Sequence, residues 1–553
     1  MALPLTALCL ALAATQANPP QGGVFASHSS IDSAVSNAGL GQSVAIMEDL
    51  DFDGFSEVLM GAPFQNGVGA VQLQGGGGSS LQLTYAGTTT DSMFGWALTN
   101  AGSCSGSPHA DLLIGAPGAD QAVVYTSVLG AIWLDLSGPA DSAFGWSVAA
   151  LGDINDDGFD DFAVGAPNHS PGGLLEAGSV FVYSGTDGAL LQSLPGAAAG
   201  DHFGFSLAAL ADNTALPGGT SGSRAKLLAV GAPDTAAGGF VGVYNARNGD
   251  PLFSANGTVL SIGSGFGYSL AAMSDTDGDD IEELAIGAPY FATGPFGFNV
   301  GKVDIYSVPN ASLLLSQSGD ENFNIFGRNI GAADIDSDGI TELIVRSFKS
   351  AYDRIEIFSG VSGQLLYAIE GTPEMAGLGC GIAGGADLTG EGFPDLVLGA
   401  PLADTAVGVN AGKAIVFGIH TVLQANRTSL EAETGGTFTF QLNFPASEQF
   451  KGYMLLASGG TGPLMQDGVL VPLSNDSILH RMILNNPMFP GQEGTLDQNG
   501  DAQVSFYAPA NMLNLLIGST LYFAAVSADG SGVRTSSVAV PIDIVSTGGG
   551  GEF

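Results

Sequence analysis

Oxygen-bearing side chains recur at alternate positions of a short segment in the first third of the chain. Residues 144–167 read F-G-W-S-V-A-A-L-G-D-I-N-D-D-G-F-D-D-F-A-V-G-A-P. Positions 1, 3, 5 and 9 of its acidic loop are Asp153, Asn155, Asp157 and Asp161, and Gly158 at position 6 allows a sharp turn. Alternate side chains on a turning backbone can point at one centre, and Ca²⁺ takes six to eight oxygen ligands. The segment therefore predicts a cation-binding loop.

Four further segments repeat this spacing, so the sequence predicts up to five Ca²⁺ sites. Their positions 1, 3, 5 and 9 are Asp49, Asp51, Asp53 and Glu57; Asp275, Asp277, Asp279 and Glu283; Asp334, Asp336, Asp338 and Glu342; and Asp387, Thr389, Glu391 and Asp395. Position 7 is expected to add a backbone carbonyl, from Phe55, Phe159, Ile281, Ile340 or Phe393. In the copy that begins at Asp275, Asp280 replaces the glycine and must adopt a left-handed backbone.

These loops have two other possible interpretations. An EF-hand needs a glutamate at position 12, where the loop of Asp153 has Val164 instead. Alternatively, the loops are solvated hairpins in which Asp and Asn favour the turn. Five copies of one spacing favour cation binding over a turn preference. Units two and four are interpreted as having lost the loop, because segments 101–111 and 212–226 lack the spacing, and no metal is predicted there.

The loops belong to a repeat of 50–66 residues. Gly-Ala-Pro begins at Gly61, Gly115, Gly165, Gly231, Gly287 and Gly399, and Arg346-Ser347-Phe348 is a degenerate copy in the widest gap. A Phe-Gly or Leu-Gly pair precedes each loop, and alternating segments such as 178–183 and 364–369 follow each Gly-Ala-Pro. Each unit therefore contains four short strands, and seven such units predict an all-β, seven-bladed β-propeller. The strand-like residues 24–31 are expected to complete the seventh blade.

Phe-Gly, an acidic loop and Gly-Ala-Pro in this order resemble FG-GAP repeats, the blades of the integrin alpha-subunit propeller. The resemblance covers residues 23–418. It implies that the Phe-Gly segment begins the innermost strand and that the acidic loops lie on the lower face. It also implies that the loops after Gly-Ala-Pro lie on the upper face, where integrin-like propellers meet ligands.

The regions outside the repeat give a coarser picture. Residues 1–17 contain a short apolar run typical of a secretory signal peptide, which predicts a secreted or cell-surface protein. Residues 425–545 alternate like the strands of a small immunoglobulin-like β-sandwich and resemble domains that end secreted bacterial proteins. Residues 546–553 form a glycine-rich tail expected to be disordered, and no later segment is apolar enough for a membrane span. Cys104 and Cys380 are interpreted as buried thiols, with a disulfide as the alternative.

The net charge and the motif content of the sequence exclude several classes of function. The formal net charge is −41, with 13 basic residues against 54 acidic ones, so no basic surface is present to neutralise nucleic acid. The six histidines lack the i, i+4 pairing of a zinc protease, and no nucleophile-elbow motif occurs. The chain is therefore predicted not to be an enzyme.

The remaining candidates for recognition lie in the fifth and sixth units of the repeat. The loop 290–300 contains Tyr290, Phe291, Phe296 and Phe298, which either bind a ligand or pack on neighbouring loops. Arg346 either meets an acidic ligand or pairs with a nearby carboxylate. The sequence favours a secreted, calcium-binding module that binds extracellular protein or glycan in adhesion. The alternatives are a hydrolase or lyase with a site in the central funnel, and a structural matrix component.

Overall fold

The chain folds almost entirely into short antiparallel strands. In the computed structural model it forms two compact units, of which the first spans Phe25–Ile419. The structure describes residues 23–127, 130–212, 225–257, 263–292, 298–308, 311–335, 339–349, 352–389, 394–421, 423–425, 429–431, 436–443, 451–458, 464–466, 469–471, 493–497, 501–508, 517, 519–529, 532–536 and 540–546. Among these residues, no helix is both long and apolar enough to cross a membrane.

Seven four-stranded sheets form the blades of the first unit, and each repeat supplies its strands in order from the inside outward. Blade one contains β2 (Val44–Met47), β3 (Glu57–Ala62), β4 (Ala70–Gln74) and β5 (Gln82–Ala86). Blade two contains β6 (Ala97–Gly102), β7 (Asp111–Ala116), β8 (Gln121–Tyr125) and β9 (Ile132–Ser137). Blade three contains β10 (Ser147–Gly152), β11 (Asp161–Ala166), β12 (Ser179–Tyr183) and β13 (Leu190–Pro195). Blade four contains β14 (Ser206–Asp212), β15 (Ala225–Ala232), β16 (Phe240–Asn245) and β17 (Pro251–Asn256).

The remaining blades continue this order. Blade five contains β18 (Ser269–Met273), β19 (Glu283–Ala288), β20 (Lys302–Ser307) and β21 (Ser312–Ser318). Blade six contains β22 (Ile330–Ala333), β23 (Glu342–Lys349), β24 (Tyr352–Phe358) and β25 (Leu365–Glu370). Blade seven contains β26 (Ile382–Ala386), β27 (Asp395–Ala400), β28 (Lys413–Thr421) and, as its outer strand, β1 (Gly23–Asp32). Short 3₁₀ turns occur at Gln65–Gly67, Pro117–Ala119, Pro171–Gly173 and Pro373–Met375.

Strand β1 closes the ring by joining the two ends of the propeller. It comes first in the chain but pairs with β28 in the last blade. The inner strands also contact one another around the ring, and β26 packs beside β2. The predictions of a seven-bladed propeller and of an N-terminal strand in blade seven are therefore confirmed.

Glycine in Gly-Ala-Pro lets adjacent blades approach closely. A Cβ atom added to Gly115 would lie 2.0 Å from the carbonyl oxygen of Gly145, the glycine of the next Phe-Gly pair. The same atom on Gly165 would lie 2.2 Å from the carbonyl oxygen of Gly204. No side chain fits at either place, so the spacing of the two motifs reflects the packing of one blade on the next.

Apolar side chains fill the space between blades. Every residue of β7 and β11 is buried, and Phe162 and Val164 of β11 pack in one cluster with Leu113 of β7. Phe144, which precedes the inner strand of blade three, belongs to the same cluster and is fully buried. Burying an aromatic or aliphatic side chain of this size stabilises the fold by about 1.5–3 kcal/mol. Cys104 also lies in this cluster, and Cys380 is half-buried. Both are free thiols, so no disulfide joins them.

The described part of the second unit contains three sheets. One sheet has the order β29 (Leu423–Ala425), β31 (Gly436–Asn443) and β36 (Asp501–Ala508). A larger sheet has the order β30 (Ser429–Glu431), β39 (Val540–Val545), β37 (Thr520–Asp529), β32 (Gly452–Ser458) and β35 (Glu493–Thr495), with β38 (Gly532–Ser536) paired to β37. A ribbon joins β33 (Leu464–Gln466) and β34 (Val469–Val471). The ring of Phe440 lies 4.8 Å from that of Phe523, so the first two sheets contact each other through apolar side chains. The immunoglobulin-like topology and the exact domain limits stay predictions, and residues 1–22 and 547–553 lie outside the described part of the chain.

Candidate functional site

Each acidic loop joins the inner strand of a blade to the second strand. We call the face that carries these connections the lower face, and the opposite face, where the loops after Gly-Ala-Pro lie, the upper face. In blade three the register pairs Gly152 with Asp161, and a bulge lies just before the loop. Position 4 of the loop, Asp156, and position 6, Gly158, both have positive φ angles, of 64° and 91°. This backbone turns the odd-numbered side chains toward the inside of the loop.

The first residue of each loop acts as a cap for the turn. Asp153 Oδ1 accepts a hydrogen bond from the Asp157 N–H at 3.1 Å, and its Oδ2 accepts one from the Gly158 N–H at 2.9 Å. Asp49 does the same in blade one, at 3.1 and 2.9 Å. In blade five, Asp275 Oδ2 accepts a hydrogen bond from Asp280, whose φ of 68° confirms the expected left-handed conformation.

Three carboxylates converge in blades one and five. In blade one, oxygens of Asp49, Asp51 and Glu57 all lie within 4.8 Å of one another. In blade five the same holds for Asp275, Asp277 and Glu283. Residues from positions 1, 3 and 9 thus lie together in these two loops, and the two clusters could hold a metal ion. Position 5 is not part of either group.

In blades one and five, the glutamate at position 9 presents one buried oxygen to which no described residue donates. Glu57 is fully buried, and its Oε2 accepts the Leu50 N–H at 2.9 Å, but no described residue donates to its Oε1. Glu283 is 1% exposed, and its Oε2 likewise has no donor among the described residues. A buried charged oxygen without a partner is costly. A cation bound between the carboxylates would remove that cost, so the residues present fit a divalent cation.

Electrostatics supports the same conclusion. The pKa of Glu57 is raised to about 7, chiefly by burial and also by the carboxylates of Asp51 and Asp49, against the opposing Leu50 hydrogen bond. Burial also raises the pKa of Glu283, with added repulsion from Asp277 and Asp275. Carboxyl groups that repel one another in a buried loop lack a compensating positive charge. A bound divalent ion would supply it.

The loop of blade three has the same capping hydrogen bonds as that of blade one, but the residue at position 9 has different hydrogen-bond donors. Asp161 is fully buried, and its two oxygens accept hydrogen bonds from Ile154 and Gly185, each at 3.0 Å. Burial raises the pKa of Asp161 to about 6 despite these bonds. Asp157 at position 5 turns its Oδ2 toward Thr186 in the outer hairpin, at 2.8 Å.

The loops of blades six and seven are described only in part. Asp334 Oδ2 accepts the Gly339 N–H at 2.9 Å, and Glu342 Oε2 accepts the Ile335 N–H at 3.0 Å, as in blade one. Thr389 Oγ1 donates to Asp395 Oδ2 at 2.9 Å in blade seven. The predicted ligands Asp336, Asp338, Glu391 and Phe393 lie outside the described residues. The carbonyl ligands at position 7 stay a prediction in every loop.

Blade two retains the loop, contrary to the expectation that it is lost, but positions 1, 3 and 5 carry no acid. Gly102 pairs with Asp111, in the register that Gly152 and Asp161 adopt in blade three. Ser103, Ser105 and Ser107 therefore occupy positions 1, 3 and 5. The buried Asp111 accepts hydrogen bonds from the N–H and the hydroxyl of Ser105 at 2.6 and 3.0 Å. Serine hydroxyls hold this loop together internally. The loop of blade four lies outside the described residues.

The predicted recognition residues on the upper face have different surroundings. Phe291 packs against the core between blades four and five, with the Lys302 ammonium 5.0 Å from its ring centre. Phe298 is 56% exposed and stacks on Phe323, with ring centres 6.0 Å apart and 5° between the planes. Tyr290 contacts Tyr268 at 5.9 Å. Phe296 lies outside the described residues.

Arg346 forms a buried ion pair. It is 8% exposed, and its guanidinium donates to Asp353 Oδ1 at 2.9 and 2.7 Å. It also donates to Asn329 Oδ1 at 3.1 Å. Of the two interpretations, the structure therefore shows pairing with a nearby carboxylate, and the guanidinium is not displayed on the surface.

A curved row of aromatic rings, which the sequence motifs did not predict, lies at the upper ends of the inner strands. Trp96 contacts Trp146 at 4.9 Å, Trp146 contacts Phe205 at 5.4 Å, and Phe205 contacts Tyr268 at 4.8 Å. All four rings are partly exposed. Each residue directly follows a Phe-Gly pair, so aligning the repeats at that position would have revealed the row. We call these four residues the aromatic row.

One histidine on the upper face bridges two blades and gives a pH-dependent prediction. His202 Nδ1 lies 2.9 Å from Asp234 Oδ2, and its Nε2 lies 3.8 Å from Glu176 Oε2. The hydrogen bond to Asp234 raises the pKa of His202 above its ordinary value of 6.5, against the effect of burial. A raised pKa stabilises the fold below the unfolded value of 6.5, and that contribution disappears as the pH rises through the folded value.

We expect an NMR titration of the His202 ring to give a pKa above 6.5, and Asp234→Asn to return it toward 6.5. Glu176→Gln, which removes a more distant charge, should change it less. The stability involved is below about 1 kcal/mol, because the pair is near the surface. An unchanged pKa in Asp234→Asn would show that the contact does not form in solution.

Comparison with known proteins agrees with the fold. The FG-GAP repeat family matches residues 144–183. The chain is 30% identical over 214 residues to integrin alpha-V of Gallus gallus, 29% over 245 residues to integrin alpha-8 of Gallus gallus, and 31% over 200 residues to integrin alpha-5 of Xenopus laevis. These matches cover 35%, 41% and 32% of this chain but only 20%, 22% and 18% of the relatives. The chain thus matches about a fifth of the length of each relative. It carries an FG-GAP β-propeller of the integrin alpha-like type, as the sequence predicted.

Proposed function

We propose that this protein is a secreted, calcium-binding propeller that binds an extracellular protein or glycan in an adhesion role. The observation that carries the proposal is the division of the propeller into two faces of different chemistry. The lower face carries the acidic loops, and the upper face carries the aromatic row. The similarity to integrin alpha subunits supports an extracellular binding role for the upper face.

Calcium is the cation that suits the lower-face loops best. All side-chain donors at positions 1, 3, 5 and 9 are oxygens, which favours hard cations over transition metals. Three carboxylates from a nine-residue loop, together with a backbone carbonyl, give the adaptable coordination that Ca²⁺ accepts. Mg²⁺ demands a tighter octahedral geometry and usually keeps several waters. Asp49, Asp51 and Glu57 would hold the ion in blade one, and Asp275, Asp277 and Glu283 in blade five.

The cation acts in this proposal as a structural brace rather than as a catalyst. The loops that hold it connect the two innermost strands of a blade. The loop of blade three also contacts the preceding blade, because Asp160 Oδ2 accepts a hydrogen bond from the Ser103 N–H. Neutralising the carboxylates would fix these connections. Recognition is then left to the aromatic row, whose rings offer large rigid surfaces for contact.

An array of glycans and extracellular proteins, probed with and without calcium, tests the proposed function. We expect capture that weakens at least tenfold in Trp96→Ala and Trp146→Ala. Trp133 is a matched control, because it is 41% exposed on the outer strand of blade two and not in the aromatic row. Trp133→Phe should bind as the wild type does. Equal binding by all four proteins, or no capture of any ligand, would contradict the assignment.

A further inference from the structure

Hydroxyl groups from the outer part of three blades contact the acidic loops of the same blades. Thr186 follows β12, and its Oγ1 donates to Asp157 Oδ2 at 2.8 Å, beside a second contact from Ser184 at 3.3 Å. In blade one, Ser79 Oγ donates to Asp51 Oδ2 at 2.5 Å. In blade five, Ser307 Oγ lies 3.4 Å from Asp279 Oδ2. The hydroxyls all come from the third strand's end or its connection to the fourth strand.

The contacted carboxylates are held at both oxygens. Asp157 Oδ1 accepts the Phe159 N–H at 3.0 Å inside the loop, while its Oδ2 accepts the hydroxyls from the hairpin. Asp279 Oδ1 accepts the Ile281 N–H at 2.9 Å in the same way. Two opposed bonds fix the plane of a carboxylate. Oδ1 of Asp157 and Oδ1 of Asp279 each accept one of these bonds, so these two oxygens keep a lone pair for a cation.

We propose that Ser79, Ser184, Thr186 and Ser307 are positioning residues that orient loop carboxylates for the cation. The inference rests on the calcium binding proposed above. Groups that hydrogen-bond to metal-ligating carboxylates orient them, and their loss typically weakens metal binding about 10–100-fold. The outer hairpin of a blade thereby contributes to a metal site built on its inner strands.

Blade two provides an internal comparison. Its loop carries serines in place of the acids, so it has no carboxylate at position 3 or 5 to orient. Thr126 occupies the place of Ser184, since its N–H donates to the Ala131 carbonyl at 2.9 Å as that of Ser184 does to Ala189. The Thr126 hydroxyl donates to the Ala131 carbonyl, within its own hairpin. Where the loop acid is missing, the hydroxyl contacts its own hairpin instead.

A tryptophan beside the third loop makes that site individually measurable. The indole Nε1 of Trp133 donates to the Gly185 carbonyl at 2.9 Å, and the Gly185 N–H donates to Asp161 Oδ1 at 3.0 Å. The other two tryptophans lie in the aromatic row on the upper face. Tb³⁺ replaces Ca²⁺ at oxygen sites and emits when a nearby indole transfers its excitation energy. The part of the Tb³⁺ emission that is lost in Trp133→Phe therefore reports binding at the loop of blade three.

The experiment titrates Tb³⁺ into the full chain, displaces it with Ca²⁺, and measures total calcium binding by calorimetry. We expect the double variant Ser184→Ala, Thr186→Val to weaken binding at the Trp133-reported site about tenfold. Thr186→Ser, which keeps a hydroxyl, should restore most of the affinity when Ser184 is present. Thr126→Val in blade two should leave the site unchanged. Melting curves in chelator check that all variants fold.

The outcomes separate this inference from the proposed function. If the wild type binds no calcium in calorimetry and shows no Tb³⁺ emission, calcium binding itself is wrong. If calorimetry shows calcium binding but no Trp133-dependent emission appears, blade three holds no cation and the inference fails there. If the wild type and the folded double variant bind equally tightly, the hydroxyls do not position the carboxylates.

Discussion

Chelation of calcium will lower the melting temperature of the propeller by several degrees. The physical reason is mass action: an ion that binds the folded loops but not the unfolded chain stabilises the fold in proportion to the logarithm of its concentration. Glu57 and Glu283 sharpen the expectation, because each has a buried oxygen without a donor among the described residues. Without a cation, these loops must tolerate carboxylates that repel one another.

The expected size follows from the length of the unit. One site at a calcium concentration 100-fold above its dissociation constant adds about 2.7 kcal/mol. The propeller unit has about 400 residues, so its unfolding entropy is about 0.8 kcal/mol per kelvin. Each site therefore contributes about 3 °C, and five sites would contribute about 15 °C. Calorimetric or circular-dichroism melting in excess calcium and in excess chelator measures the difference.

A substitution at position 9 distinguishes a bound ion from a general salt effect. Glu57→Gln removes the buried charge, so we expect it to be at least as stable as the wild type in chelator. In calcium it should be less stable than the wild type, because one site is lost. Glu321→Gln, at an exposed glutamate, should behave as the wild type in both conditions. Identical melting curves in calcium and in chelator would show that calcium does not stabilise this fold.

The sequence predicted the features that the repeats share. It did not predict features in which individual blades differ or contacts near the boundary between blades. Phe-Gly and Gly-Ala-Pro mark where two backbones touch, so their spacing is enough to predict blade number, strand order and the place of the acidic loops. Phe298 lies in the upper loop of blade five and Phe323 in the connection to blade six, and nothing in the repeat motifs indicates that they stack. The loop of blade two was missed because its serines carry no charge, although its length and register are unchanged. The chemistry of one strand or loop follows from its own sequence. Contacts between neighbouring blades depend on how the closed ring of blades packs.

Arg346→Met will destabilise the propeller by about 3–5 kcal/mol, as expected when one partner of a buried ion pair is removed. The Asp353 carboxylate, which is 12% exposed, would lose both hydrogen bonds from the guanidinium and retain only the Gly377 N–H at 2.9 Å. Asp353→Asn should also destabilise, because it leaves the buried cation unpaired. The double variant should recover part of the loss, since neither charge then remains. Urea denaturation of the four proteins measures the coupling between the two groups.

Lys349→Met provides the matched control. Its ammonium pairs with Asp320 at 2.5 Å, but that carboxylate is 59% exposed, so the change should cost less than about 1 kcal/mol. If Arg346→Met were as mild as Lys349→Met, the guanidinium would be solvated and available to an acidic ligand. Weakened ligand capture by a fully folded Arg346→Met would lead to the same revision.

Arg346→Gly tests the same pair against the logic of the repeat. Arg346 occupies the place of the glycine in Gly-Ala-Pro, and at Gly399 in the next blade an added Cβ would lie 1.8 Å from the Gly41 carbonyl. A consensus argument predicts that glycine at position 346 improves blade packing. The ion pair predicts the opposite, because glycine leaves Asp353 buried and unpaired and empties the volume that the arginine fills. We therefore expect Arg346→Gly to be at least as unstable as Arg346→Met. Stabilisation by this consensus residue would mean that close contact between blades six and seven outweighs the loss of the ion pair.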